Sequence, residues 1–184
     1  RELDLNHDEI QKIQKILKQD EYELPDDILD KIAKNKFRNK LIIDRIINLY
    51  NAGHRIILFA CNVSHARLIA AALNLNKIQC GLILGTTDKN IRNKIISEFK
   101  DLNSELKILI NVDVLTTGFD APNIDCVFIA RPIVSVILYS QMIGRGIRGV
   151  MMGGTETCKL VEVVDSFNFG NESWAFNFFD NYWV

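Results

Sequence analysis

The chain has 184 residues, of which 48% are hydrophobic and 24% charged, with only 10 Gly and 3 Pro. That balance excludes a disordered chain, a collagen-like repeat and a disulfide-stapled miniprotein, and the length allows one substantial core rather than two. The longest apolar runs, such as residues 56–61, are about a third of what a membrane span requires. The chain opens on Arg1 rather than Met, with no signal peptide, and is expected to be a piece of a longer protein. Its formal net charge of −1 hides an asymmetry: residues 1–30 carry 10 acidic and 4 basic side chains, and residues 31–55 carry 7 basic and 1 acidic. The basic stretch reads either as a solvated helix face or as a rim facing phosphates.

Residues 1–40 are polar and acidic, with weak helical periodicity around residues 10–17 and 28–32, and read as a lead-in segment. From residue 41 to 168 the pattern is an alternation. β-rich runs at 55–61, 79–84, 107–112, 125–130 and 158–164 are separated by helix-length segments. Ser64 is placed to cap a helix over 66–75 whose apolar residues surround its axis. Ile91, Ile95 and Phe99 stripe the next helix, and Ser135 caps one running to about Ile147. Strands this apolar are buried on both faces, so the fold class is α/β, doubly wound, with a mainly parallel sheet and helices on both faces. Cys61, Cys80, Cys126 and Cys158 lie in or beside the strand-like runs, with no CxxC pair and no His at ligand spacing. They read as core thiols of a reducing, cytoplasmic compartment, with no metal site. Residues 169–184 form an aromatic tail, expected to pack on the domain or on a missing neighbour.

In such sheets ligands bind outside the carboxyl ends of the strands, and three segments are expected there. After Cys61, Ser64 and His65 open a helix whose free N–H groups suit a phosphate, although a plain helix cap explains them too. After Val112, the run Thr116-Thr117-Gly118-Phe119-Asp120 crowds hydroxyls, a glycine and a carboxylate into one loop, which suits phosphate and ribose contacts or a tight turn. The third segment is Gln141-Met142-Ile143-Gly144-Arg145-Gly146-Ile147-Arg148. On one helix, Gln141, Arg145 and Arg148 would share a face, and two guanidiniums beside a carboxamide suit a transferring phosphoryl group. Arginines paired with surface carboxylates remain the alternative. Gly144 and Gly146 suggest close approach of a backbone or ligand.

The run Thr116–Pro122 with Asp125, Arg131-Pro132, Ser135, Tyr139 and Gln141–Arg148 resembles motifs V and VI of superfamily 2 helicases. More narrowly it resembles the DNA-directed branch, the RadD-like helicases and the motor subunits of type I and type III restriction enzymes. Phe59–Ala66 is similar to motif IV, and Asp165 with Phe167-Asn168 to the segment after the last strand. Ile133 departs from the Thr common in the narrower group. The resemblance covers about residues 38–168 and implies the second, C-terminal RecA-like domain of a motor.

By that resemblance Arg145 and Arg148 are arginine fingers, and Gln141 lies near the γ-phosphate. Gly118, Asp120 and Gly144 line the nucleotide. Thr116, Thr117, Ser64 or His65, and the loop Gly85-Thr86 contact the DNA backbone, while Arg92 is structural. The implied cofactors are ATP and Mg2+, held mainly by the N-terminal RecA-like domain of the same protein, since the chain has no GxxxxGK[ST] loop and no DExH-type box. The implied track is DNA bound without sequence preference, and no membrane is involved. The fragment alone is expected not to hydrolyse ATP. The rival readings are a non-catalytic docking module, an RNA-directed helicase domain and a stand-alone nucleotide-binding domain.

Overall fold

The computed structural model describes residues 6–18, 24–112, 114, 123–146, 154–163 and 165. Among the described residues five strands form one parallel sheet: β1 (Ile56–Phe59), β2 (Gly81–Ile83), β3 (Ile108–Asn111), β4 (Cys126–Ile129) and β5 (Lys159–Glu162), in the spatial order β2-β3-β1-β4-β5. Each lies within one of the five apolar runs.

Alternation along the strands builds two cores. Ile56, Leu58, Ile108, Ile110, Cys126 and Phe128 face the helices α3 (Lys36–Asn51) and α4 (Val63–Leu75). Ile57, Phe59, Leu109, Val127 and Ile129 face α5 (Lys89–Lys100) and α6 (Val136–Ile143). Central strands buried on both faces are apolar at almost every position, which is why these runs show no polar alternation; the exception, Asn111 at the end of β3, donates its Nδ2 to the Leu58 carbonyl at 2.9 Å.

Two helices precede this sheet, α1 (His7–Lys18) and α2 (Asp26–Ala33). Asn6 and Glu9 form a reciprocal capping box at α1, each backbone N–H donating to the other's side chain, at 2.7 and 2.9 Å. Ile13, Leu24, Ile28, Leu29 and Ile32 form a third small core that reaches Cys61 at the end of β1.

Several local expectations are corrected. The cap of α4 is Asn62, whose side chain accepts the His65 N–H at 2.8 Å, and Ser64 sits inside the first turn. α4 is also one-sided: Ala66, Ile69 and Leu73 are buried, but Leu68 and Leu75 are exposed. On α5, Phe99 is buried and Ile95 packs against the core, while Ile91 faces solvent. Ser135 does cap α6, accepting from the Leu138 N–H at 3.2 Å, but the helix ends at Ile143 rather than near Ile147.

Gly81 marks where α5 crosses the sheet most closely. A Cβ there would lie 2.5 Å from Ile95 Cγ2 and 2.7 Å from Leu109 Cδ2. The Schellman end of α4 puts Lys77 at φ 59°, a left-handed conformation that favours glycine. Gly81→Ala is therefore expected to cost about 1–3 kcal/mol through overpacking. Lys77→Gly is expected to raise stability by about 0.5–1 kcal/mol. Thermal or urea unfolding of both variants checks the opposite signs.

Candidate functional site

All strands point the same way, so one edge of the sheet collects their carboxyl ends. There, Ala60, Cys61 and Asn62 follow β1, Leu84 to Thr87 follow β2, and Ala130 and Arg131 follow β4. Arg38 in the first turn of α3 reaches across this edge. Its Nε and Nη2 donate to Asp165 Oδ1 and Oδ2 at 2.7 and 2.9 Å, and Nη2 also donates to the Ala130 carbonyl at 3.0 Å. The pair is only 5% and 6% exposed. Two parallel bonds to a carboxylate are the arrangement a planar guanidinium favours. Sequence reasoning placed Arg38 and Asp165 only at the margins of a resemblance, because nothing local links residues 127 positions apart.

The expected strand-contacting residues divide at this edge. Ser64 is exposed on the first turn of α4, and Gly85 and Thr86 are exposed in the turn after β2. That turn is held from within: Leu84 N–H donates to Thr87 Oγ1 at 2.8 Å, and Arg92 Nη2 donates to the Leu84 carbonyl at 3.2 Å, so Arg92 has a structural bond. His65 is a correction. Its ring is 1% exposed and Nδ1 accepts the Cys61 N–H at 3.2 Å, so Ser64, not His65, presents a polar group outward. Thr116, Thr117, Gly118, Asp120, Arg148 and the aromatic tail lie outside the described residues.

The third segment is not at the carboxyl edge. α6 starts there at Ser135 and runs back along the sheet, so its far end lies beside Val127 and Cys158, toward the amino ends of β4 and β5. Gln141 is exposed in the last turn, Gly144 is the exposed C-cap, and Arg145 is half-buried in the turn 144–146. Gln141 and Arg145 therefore do not share one continuous helix face as the spacing suggested. Gly146 explains itself by packing: a Cβ would collide with Cys158 Sγ and lie 2.8 Å from Val127 Cγ2. The close approach inferred from the glycines is made by the sheet's own side chains, and it fixes the turn that carries Arg145.

Two titratable groups, the buried His65 and the half-buried Glu162, respond oppositely to acid. Burial, helped by the nearby Arg38 charge, pushes His65 down to about 4. Burial raises Glu162 to about 7, against the lowering effect of the Tyr139 hydroxyl that donates to it at 3.3 Å. Between about 6.5 and 4 an unfolded His65 binds a proton that the folded one does not, so stability is complete above that window and falls through it, by about 3 kcal/mol at most. Glu162 binds a proton more readily when folded, so its burial costs stability above about 7 and the cost fades toward 4.5. Relative to the parent, His65→Asn should lose less stability on going from about pH 7.5 to about pH 5, and Glu162→Gln should lose more. Thermal unfolding at the two pH values reads the two slopes; equal slopes in all three proteins would refute both assignments.

The helicase conserved C-terminal domain family matches residues 38–150. The chain is 32% identical over 114 residues to a Saccharomyces cerevisiae protein named as an ATP-dependent helicase, IRC3, covering 62% of this chain and 16% of the relative. It is 36% identical over 110 residues to its namesake in Schizosaccharomyces pombe, covering 60% of this chain and 18% of the relative. The chain thus spans under a fifth of the length of these relatives. Among solved structures, S. cerevisiae Dbp5 bound to RNA and ADP BeF3 aligns with a TM-score of 0.60 at 20% identity, covering 78% of this chain and 35% of that one. A fragment described as an HsdR subunit of a type I restriction enzyme from Vibrio vulnificus aligns with a TM-score of 0.60 at 24% identity, covering 75% and 29%. These likenesses agree with the α/β fold of RecA-like helicase C-terminal domains. With three-fifths of its length inside the family match, the chain belongs to the helicase conserved C-terminal domain family.

Proposed function

We propose that this chain is the second motor domain of an ATP-dependent DNA helicase or translocase. The observation that carries the reading is the family match over residues 38–150, which contains the whole Gln141–Arg148 segment. Arg145, with Arg148, reaches the γ-phosphate of ATP bound on a separate N-terminal RecA-like domain, and Gln141 lies beside that phosphate or its attacking water. Gly118, Asp120 and Gly144 line the nucleotide. The chain carries no GxxxxGK[ST] loop, so the triphosphate and Mg2+ belong to that other domain. What this chain supplies is positive charge aimed at the transferring phosphoryl group, and the clamped turn at Gly146 gives the Arg145 guanidinium a fixed origin.

Thr116, Thr117, Ser64 and the Gly85-Thr86 loop grip the polynucleotide backbone. Ser64, Gly85 and Thr86 lie at the carboxyl edge of the sheet, whereas Arg145 lies on the α5/α6 face. The separation suits an ATP-driven cycle in which one surface reads nucleotide state and another holds the track. DNA is favoured by the wording Thr-Thr-Gly-Phe-Asp and Gln-x-x-Gly-Arg-Gly. An RNA track is the second reading, supported by a rice relative, 34% identical over 87 residues, named DEAD-box ATP-dependent RNA helicase 38.

The test is ATP hydrolysis by the full-length parent with single- and double-stranded DNA and RNA. Polynucleotide-stimulated turnover is expected, and Arg145→Ala should lower it by about 10³-fold with polymer binding retained. The better stimulating polymer names the track. Stimulated turnover that survives the substitution would overturn the finger assignment, and no stimulation at all would favour a docking module.

A further inference from the structure

One flank of α3 leaves large apolar side chains open to solvent. Phe37 and Leu41 are each 54% exposed, and the exposed Arg45 follows them. Spaced four residues apart, the three form one stripe along the helix. The stripe has a definite direction. Ile42, Ile46 and Leu49 turn inward to the sheet, while Lys36, Lys40 and Ile43 turn toward α4. Phe37 and Leu41 lie about 100° further round the helix from Lys36 and Lys40, on the flank away from α4. Because α4 packs over β2 and β3, that flank of α3 looks toward the β4 and β5 end of the sheet.

At that end the sheet is open. Among the described residues β5 pairs with β4 alone. Leu160 is 38% exposed, and Val161 and Val163, on the α3 side of the strand, are only half-buried. An unpaired strand edge beside an exposed Phe and Leu is a surface that calls for a cover.

The course of the chain identifies the cover. Asp165 follows β5 closely and is held by Arg38, the neighbour of Phe37, through bonds of 2.7 and 2.9 Å. The chain is thus delivered to the start of the stripe. Five Phe, one Tyr and both tryptophans of the chain fall in residues 167–184. The charged side chains there, Glu172 and Asp180, are both acidic, which suits Arg45 and the exposed Lys159 on the α3 side of β5. Trp174, Phe176 and Phe178 alternate at period two, the pattern of one face of an extended segment, and Gly170-Asn171 offers a turn before it. The residues between Asp165 and Trp174 can span about 25–30 Å, whereas β5 is about 13 Å long, so the segment can turn and run back beside the strand. A second copy is disfavoured as the occupant: a stable dimer needs about 800 Å² on each partner, and two side chains with a four-residue edge offer less. A tethered segment meets no such threshold, because it is always nearby.

We propose that residues 167–184 fold back on their own chain, pairing along the open side of β5 and laying Trp174, Phe176 and Phe178 over Phe37 and Leu41. Backbone groups of the segment complete the β5 edge, and its aromatic face covers the stripe. The closed edge is then withheld from pairing with other chains. This inference is independent of the proposed motor function.

Both tryptophans lie in the tail, so the tryptophan emission of the 184-residue chain reports on the tail alone. That emission is expected to be blue-shifted from that of the same chain in urea, and to stay so on dilution to the monomer. Phe37→Asp and Leu41→Asp should each shift it back to the red and raise its quenching by acrylamide. Leu75→Asp, at an 86% exposed position at the end of α4, should leave both readings unchanged. All three positions are exposed, so the sheet folds in each variant, and far-ultraviolet circular dichroism checks this. Emission like that in urea would overturn the proposal and leave another domain of the parent as the occupant. A blue shift lost on dilution would overturn it in favour of a second copy. A blue shift that survives both α3 substitutions would overturn it by placing the tail elsewhere.

Discussion

The buried guanidinium of Arg38 is the contact on which the carboxyl edge depends. A cation this deep is tolerated only when most of its donors are used. Here two of its nitrogens hold Asp165, one of them also reaches the carbonyl after β4, and Nη1 lies 3.9 Å from Cys61 Sγ. One side chain therefore ties the helix before β1 to the ends of β1 and β4 and to the segment after β5. Arg55 does the corresponding work at the opposite edge. Its Nη1 and Nη2 donate to the carbonyls of Phe99 and Asp101 at 2.6 and 2.7 Å and anchor the end of α5.

Between these two anchors, short strands of three or four residues are enough. Each is paired along its length, and the central ones bury both faces, so little is required of strand length once the ends are held. Two small packing constraints complete the frame. Gly81 lets α5 approach β2 and β3, and Gly146 lets the turn after α6 settle onto β4 and Cys158. A glycine in either place looks like a helix- or strand-weakening choice in isolation, and its reason is visible only in the neighbour it admits.

This construction separates two surfaces. The face carrying α5 and α6 ends in the turn with Arg145, while the edge and the face carrying α3 and α4 hold the exposed Ser64, Lys36 and Lys40. The rigid sheet between them lets a change at one surface move the other as a body. The acidic lead-in is part of that second surface: Asp30 of α2 accepts from Asn62 Nδ2 and so holds the α4 cap.

The sequence by itself determined the class of fold, the five strands and the order of elements, because central strands buried on both faces are almost wholly apolar and that constraint is local. It also showed the Gln141–Arg148 segment, since chemistry-bearing residues crowded into eight positions need no partner to be noticed. Tertiary structure alone decided where these parts face. The end of α6 at Ile143, the inward turn of His65, the cap at Asn62 and the pairing of Arg38 with Asp165 all depend on residues far away in the chain or on which side of a helix meets the sheet. Helix periodicity carries no record of where a helix stops or which groups become buried, because burial is a property of two surfaces together, and the second surface is not written beside the first.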